Sequence, residues 1–506
     1  MRTVFVAIIA VGLIAPAALM AESNWQVDTS WHGEARAVAS QLSEVDIGRP
    51  LAEDLSTLPQ YSELDTRLRL GGDLKMRRRS GVLRAITVKL EGDLYNGAPM
   101  RRGYSDLLRY DEIASRDSQS LDAVMLRSLQ LQFDGRYGRV NVGRMMSTWG
   151  LGLLAQSGRA DPYQFGFKRQ GVVVDRLQLI TAPFQTWGGL NPTGTPLYAV
   201  LAADRVVYDD LADARRGDEA YNLVGALLYR GAELQAGVYT VFRTQTDAQG
   251  STVDAQVGDA FVSWGRRFGD WDVRLATEWL LLQGETTYFR SANQRDALKV
   301  FQFGGVFRAQ ARSKHFGARL EGGLASGDDR PFDDTMGALK FSRDYRVGLI
   351  MFHEGMRRTS TLASANIADP RYVGVAPTGF DRAGTSGSVS NAIYGSLTMA
   401  AHPVERLTIL VGGLMAQSPL PLVDAYQSGL KGGDAIGPRG GVAGRGLGWE
   451  VDVALRWTQP LTDALAASAR VDWGRWQPGD AFDDSAGKSA RAVQMWMARL
   501  TMQGRW

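Results

Sequence analysis

Apolar and polar side chains alternate residue by residue in one stretch after another of this chain. In the last stretch, VQMWMARLTMQGRW, the residues Trp496, Ala498, Leu500, Met502, Gly504 and Trp506 share one parity, and Arg499, Thr501, Gln503 and Arg505 share the other. A period of two means a β-strand with one apolar and one polar face. The same pattern sets Leu64, Leu68 and Leu70 against Asp65, Arg67, Arg69 and Asp73, and Ile86, Val88 and Leu90 against Lys89 and Glu91. It sets Trp271, Val273, Leu275 and Trp279 against Asp272, Arg274 and Glu278, and Phe316, Ala318 and Leu320 against His315, Arg319 and Glu321. Near the end, Trp449, Val451, Val453, Leu455 and Trp457 oppose Glu450, Asp452 and Arg456, while Leu465, Ala467, Ala469, Val471 and Trp473 oppose Ser468, Arg470 and Asp472.

These stretches run to roughly ten to fourteen residues, enough for a tilted membrane strand and well beyond the soluble average. Connections alternate in length. DGRYGR, YRGAE, RRFGDWD, ARSKHF, AAHPVER and TQPLTDA are tight, whereas 96–122, 146–170, 283–297, 326–340, 354–389, 419–446 and 476–490 are long and rich in Gly, Asp and Ser. Short periplasmic turns and long outer loops belong to outer-membrane barrels, and closure removes the exposed edges that so many long strands would otherwise present. The expected fold is therefore all-β: a transmembrane antiparallel β-barrel of about 18 strands (16 to 20), integral to the outer membrane of a Gram-negative bacterium. Two stretches resist the pattern. DYRVGLIMF and NAIYGSLTMAA, read as strands, run the same way, so a strand is expected to hide in 354–389, and 182–196 has no clear place.

The start, MRTVFVAIIAVGLIAPAALMAE, reads as a secretory signal peptide over 1–21. Residues 22–62 are expected to be a periplasmic or lumenal segment, with the chain's only plausible helix over 31–63, and residues 63–506 the barrel. There is no cysteine, hence neither a lipid anchor at the cleavage site nor a disulfide framework. A net charge of +3 gives no basic excess for nucleic acid. No cofactor is called for. The expected surroundings are outer-membrane lipid and lipopolysaccharide, with the barrel-assembly machinery as the partner that inserts the chain.

VGRMMSTWGLGLLAQSG followed by VVVDRLQLIT resembles a family of uncharacterised outer-membrane barrels from myxobacteria and relatives, through Gly143, Arg144, Met145, Trp149, Gly150, Leu151, Gly152, Asp175 and Arg176. The resemblance implies a barrel in the outer membrane and no established substrate. This chain departs from the family in carrying RADPYQFGFKRQ where an acidic stretch is usual. A shorter stretch, LASGDDRPFDD, is similar to a loop entry of alginate-export-like porins. Trp506, with Met502 and Leu500 on its parity, resembles the carboxy-terminal assembly signal of such barrels.

The polar parity supplies the expected pore lining: Arg67, Arg69, Asp73, Lys89, Glu91, Arg127, Arg274, Glu278, Arg319, Glu321, Asp452, Arg456, Arg470, Asp472 and Arg499. Both signs are present, which argues against strong ion selectivity; the charges either line a wet channel or pair across the lumen and fill it. Arg144 and Trp149 are candidates for holding an inward-folded loop, with Gly150 and Gly152 either shaping it or only bending the wall. Asp328, Asp329, Asp333 and Asp334 could hold Ca²⁺, although the EF-hand spacing is absent and a solvated loop explains them as well. His32, His315, His353 and His402 show no catalytic or metal spacing, and no nucleophile stands beside a base, so the expectation is not an enzyme. The expected function is porin-like passage of small polar solutes or a polysaccharide. The alternative is a non-conducting barrel whose loops act as a binding or envelope-assembly scaffold.

Overall fold

A computed structural model describes residues 25–46, 57–58, 60–78, 81–102, 124–159, 161–167, 171–186, 196–288, 297–368 and 384–506. The barrel strands are β1 (Trp25–Leu42), β2 (Tyr61–Arg78), β3 (Leu83–Arg102), β4 (Met125–Gly135), β5 (Gly138–Ser147) and β6 (Val172–Thr181). They continue as β7 (Leu197–Tyr208), β8 (Glu219–Arg230), β9 (Leu234–Thr246), β10 (Thr252–Phe268), β11 (Trp271–Thr286) and β12 (Leu298–Arg312). The last six are β13 (Phe316–Ala325), β14 (Ala392–Val404), β15 (Leu407–Gln417), β16 (Gly446–Pro460), β17 (Leu465–Gln477) and β18 (Val493–Arg505). Each pairs antiparallel with its neighbours in sequence, and β18 pairs with β1, giving a closed 18-strand barrel.

Closure depends on a strand that the sequence pattern hides. The helix expected over 31–63 does not form: residues 25–42 are β1, paired with β2 along its whole length and with β18 from His32↔Arg505 to Leu42↔Met495. The barrel therefore begins at Trp25, within the stretch read as a separate 22–62 segment. The reason is size. Gly33, Ala35, Ala37 and Ala39 take the outward parity while Arg36 and Val38 point in, so the alternation is present without bulky residues to advertise it. The proposed signal peptide, 1–21, lies outside the described residues.

The outward faces are apolar and exposed, among them Leu68, Leu70, Leu201, Trp279, Leu455, Leu500 and Met502. In water that surface would be an aggregation hazard. Around a closed barrel it is the belt that meets lipid, as in an integral outer-membrane protein. Trp271, Trp449, Trp457 and Trp506 are aromatic members of this surface, a residue class that settles at membrane interfaces. The six tight connections read from the sequence lie at the end where Trp25 starts β1 and Trp506 follows β18. There Trp31 and Trp506 exchange backbone hydrogen bonds of 2.7 and 2.8 Å. The stretch 182–196 is a longer connection at the same end, between β6 and β7, starting with the helical turn Pro183–Thr186; its residues 187–195 lie outside the described set.

DYRVGLIMF is not a strand. It runs through turns into a wide helical turn, Met351–Met356, and then a helix, α1 (Arg357–Ala368), inside the barrel. No strand hides in the described part of 354–389; residues 369–383 lie outside the described set. The run Val347, Leu349, Ile350, Met351, Phe352 is buried on every side, so it has no reason to alternate. It packs with Leu153, Tyr163, Phe165, Leu410, Leu414, Trp476, Met495 and Met497 in an apolar core that occupies the lumen.

Candidate functional site

Among the described residues, two segments fold into the lumen. The first, described over residues 148–159, 161–167 and 171, lies between β5 and β6; the second, described over 326–368 and 384–391, lies between β13 and β14. Both are docked by the same device. In the first, the backbone N–H groups of Leu151 and Leu153 donate to the Glu278 carboxylate on β11. In the second, the N–H groups of Leu349, Ile350 and Met351 donate to Glu450 on β16, the latter two at 2.7 and 2.6 Å. A glycine of positive φ opens each cradle: Gly150 at φ 51° and Gly348 at φ 70°. A Cβ there would lie 2.5 Å from Glu278 Oε2 and 2.8 Å from Glu450 Oε1 respectively, so close approach requires glycine. Successive backbone N–H groups arranged in this way form an anion-binding nest, here occupied by a wall carboxylate.

Further contacts fix the first segment. The Trp149 indole N–H donates to Asp259 at 2.8 Å, and its ring stacks on Tyr239 at 4.9 Å. Arg319 donates to Asp161 at 2.8 Å, and its charge holds the Asp161 carboxyl below the usual range against the upward push of burial. Arg470 donates to the Gln164 carbonyl at 2.7 Å and Arg499 to the Gly166 carbonyl at 3.2 Å, while Asp472 accepts from Gly166 N–H at 3.3 Å. The second segment is tied by Arg343 to Asp210 at 2.8 Å and by the Tyr345 hydroxyl to Glu321 at 2.7 Å. The two segments touch where Ser342 N–H donates to the Leu153 carbonyl at 2.6 Å.

The other expected pore residues fall as follows. Arg67 pairs with Glu34, and Arg69 with Asp93 at 2.6 Å. Arg127 donates to Glu91 at 3.1 Å, and Glu321 accepts from Arg308 at 2.7 Å. Asp73 and Lys89 line a wide periplasmic recess of about 390 Å³. Arg274 borders a cavity of about 530 Å³ with Arg230, Arg308 and Arg319. Asp452 is buried beside Glu450, and its Oδ1 has no hydrogen-bond partner. Arg144 and Asp175 lie elsewhere: they form a two-pronged ion pair, 2.8 and 2.9 Å, on the parity of exposed Val142 and Leu177, the outer face. Arg144 therefore does not hold the loop; Trp149 does. Arg176, on the inner parity, pairs with Asp204 at 2.6 Å. Asp328 and Asp333 accept hydrogen bonds within their own loop, and among the described residues no three acidic or histidine side chains converge on a metal site.

Sequence reasoning missed several members of the lumen. Glu450 was visible on the Asp452 parity, and Asp259 and Arg308 lie on strands whose alternation is interrupted. Arg36 sits in the stretch read as a helix. With it, the basic residues form a continuous arrangement. Arg456 lies opposite Arg470, Arg470 opposite Arg499, and Arg36 opposite Arg67. Arg36 is one diagonal step from Arg499, through the Val38↔Arg499 and Arg36↔Thr501 pairs. Like charges opposite one another across strands are unfavourable. Arg36 and Arg67 are relieved by Asp65 and Glu34, and Arg470 by Asp472. Among the described residues, Arg456 meets only the Thr408 hydroxyl at 3.3 Å, and Arg499 the Gly166 carbonyl. The five arginines border a cavity of about 830 Å³ whose walls carry eight arginines against four carboxylates. The two signs that look balanced along the sequence are thus unevenly placed around this cavity.

No protein-family model and no curated protein sequence matches the chain. Solved structures do. The channel OccK2 (OpdF) of Pseudomonas aeruginosa, in complex with glucuronate, superposes with a TM-score of 0.52 at 11% identity, over 94% of this chain and 98% of that one. OccK5 (OpdH) of the same organism gives 0.50 at 9%, over 95% and 98%. OccAB4 of Acinetobacter baumannii gives 0.50 at 8%, over 95% and 98%. At such identities the likeness is one of fold, and along nearly its whole length this chain is similar to the closed barrels of outer-membrane porins.

Proposed function

We propose that the protein is a porin-like channel for small solutes, selective for anions such as carboxylates. The observation that carries this reading is the arginine row Arg456, Arg470, Arg499, Arg36 and Arg67, with Arg456 and Arg499 facing the periplasmic cavity without a carboxylate partner among the described residues. Such a row is costly in the empty channel and is relieved by an anion, while low-dielectric walls concentrate its field. Small solutes are favoured over a polysaccharide because two inward segments divide the lumen into cavities of about 230, 530 and 830 Å³. The glucuronate complex of the superposed OccK2 channel is consistent with an anionic solute. The kinship with myxobacterial barrels implied by the Gly143–Arg176 motif belongs to the same reading: here its Trp149, Gly150 and Gly152 build the segment that narrows the pore.

The test is ion selectivity in a planar bilayer under a KCl gradient. Wild type should favour anions. Replacing Arg456 and Arg499 with Glu should move the reversal potential toward cations, most clearly at 0.01 M salt where the Debye length is about 30 Å. An unchanged reversal potential, or a well-folded wild type that never conducts, defeats the proposal.

A further inference from the structure

The extracellular half of the lumen differs in chemistry from the arginine side. One inner-wall row runs across five strands as Ala202↔Val224↔Val241↔Val257↔Leu282. Inner positions of a water-filled barrel are polar. Here they are apolar, and Ala202, Val224, Val241 and Val257 form a buried cluster completed by Leu154, Tyr239 and Leu282. Part of this row, with the Trp149–Tyr239 stack, lines a cavity of about 230 Å³. The arginines of the periplasmic row do not reach it.

The charged groups around this cavity are committed. Arg243 pairs with Asp209, Arg343 with Asp210 and Arg176 with Asp204, and the Lys340 ammonium donates to the Gly384 carbonyl at 2.7 Å. Asp259 and Glu278 hold the first inward segment. Among the described residues, one buried polar side-chain atom of the lining has no hydrogen-bond partner, Asn222 Oδ1. Asn222 lines the cavity from the strand that carries Val224. Binding sites for small molecules are mostly apolar with a few placed polar groups, and a buried acceptor left unpaired is costly until a donor meets it. The volume lies below that of drug-sized pockets, about 300–1,000 Å³, and suits a single ring.

We infer that this cavity binds a small uncharged ring-bearing solute with one hydroxyl donor, a phenol or a cyclic alcohol. The ring lies against Val241, Val257 and the Trp149–Tyr239 stack, and the hydroxyl donates to Asn222. The site recognises shape and one donor rather than charge, so it stands apart from the anion reading.

The probe is 4-methylphenol, uncharged at pH 7 because a phenol ionises near pH 10. Titrated into purified, detergent-solubilised barrel and followed by ligand-observed NMR, it should bind saturably, one per chain, above the linear uptake of micelles. Val257→Phe fills the cavity and should weaken binding at least tenfold. Should that variant fail to fold, Val241→Asn makes the same test by polarity. Asn222→Leu should weaken 4-methylphenol roughly tenfold and leave toluene unchanged. Replacing Arg456 and Arg499 with Glu should leave the affinity within twofold, even where it alters ion selectivity. Linear uptake alone in wild type, or equal affinity in the folded cavity variants, overturns the site; an Asn222→Leu variant that loses both ligands equally overturns the hydroxyl assignment.

Discussion

Val273 and Arg274 show what parity means to a single side chain. Val273 shares the outer face with Trp271 and Leu275, while Arg274 borders the lumenal cavity of about 530 Å³. Val273 is only two residues into β11, at the periplasmic interface, so Val273→Arg should cost no more than about 1 kcal/mol, and Arg274→Ala less. Denaturant titration of the barrel in lipid checks both, and a larger loss at 274 than at 273 would reverse the faces. Alternation gave these orientations directly, because every inward or outward choice is set by the one before. What alternation could not give was the partner. Glu278 reads as pore lining, yet its oxygens are taken up by Leu151 and Leu153, more than a hundred residues away in the chain. Arg144 shows the opposite failure: its place beside Trp149 in the motif suggested a hold on the inward loop, but it shares the exposed parity of Val140 and Val142. A paired Arg–Asp is tolerated outside where an unpaired arginine is not.

The strands and tight turns were legible as elements because period two and turn residues are local signals. The inward segments were not, since a segment buried on all sides loses its period, and 344–352 then passes for a strand. The docking of the second segment can be tested by pH. His353 accepts a hydrogen bond from Val347 N–H at 3.2 Å, and burial, with Arg346 and Arg357 nearby, holds its pKa well below the ordinary value. Undocked, it takes up a proton as the pH falls through about 6.5; docked, it stays neutral, so docking weakens as the solution becomes acid. Glu354 acts in another window. Burial raises its pKa, but Arg357 and Arg358 outweigh burial and bring it down to about 2, so its contribution is complete above the ordinary carboxylate range and is lost only as the pH falls toward 2. Of these two groups, only His353 changes its contribution between pH 7 and pH 5. Proteolysis within 343–368 should quicken over that range in wild type and should lose most of its pH dependence in His353→Asn. An equal acceleration in both proteins would remove His353 from the account.

At the scale of the molecule, the closed barrel was legible from strand length, loop alternation and the final Trp506, whereas the boundary was not, because the outward positions of β1 from Gly33 to Ala39 are glycine and alanine. Removing residues 496–506 deletes every β18 partner of β1 from His32 to Gln41. That truncation should leave the chain in the periplasm, degraded or aggregated, and cell fractionation checks it; normal yield in the outer membrane would mean that β18 does not close the barrel. The same seam carries a consequence in time. β1 is the first strand to emerge during synthesis, and its second partner is the last. Contacts between distant parts of a chain form slowly, and an open strand edge can pair with any other that it meets. For as long as the rest of the chain is still being delivered, the leading edge has nothing of its own to bind, so assembly is a race between arrival of the last thirteen-residue strand and capture of the first by a stranger.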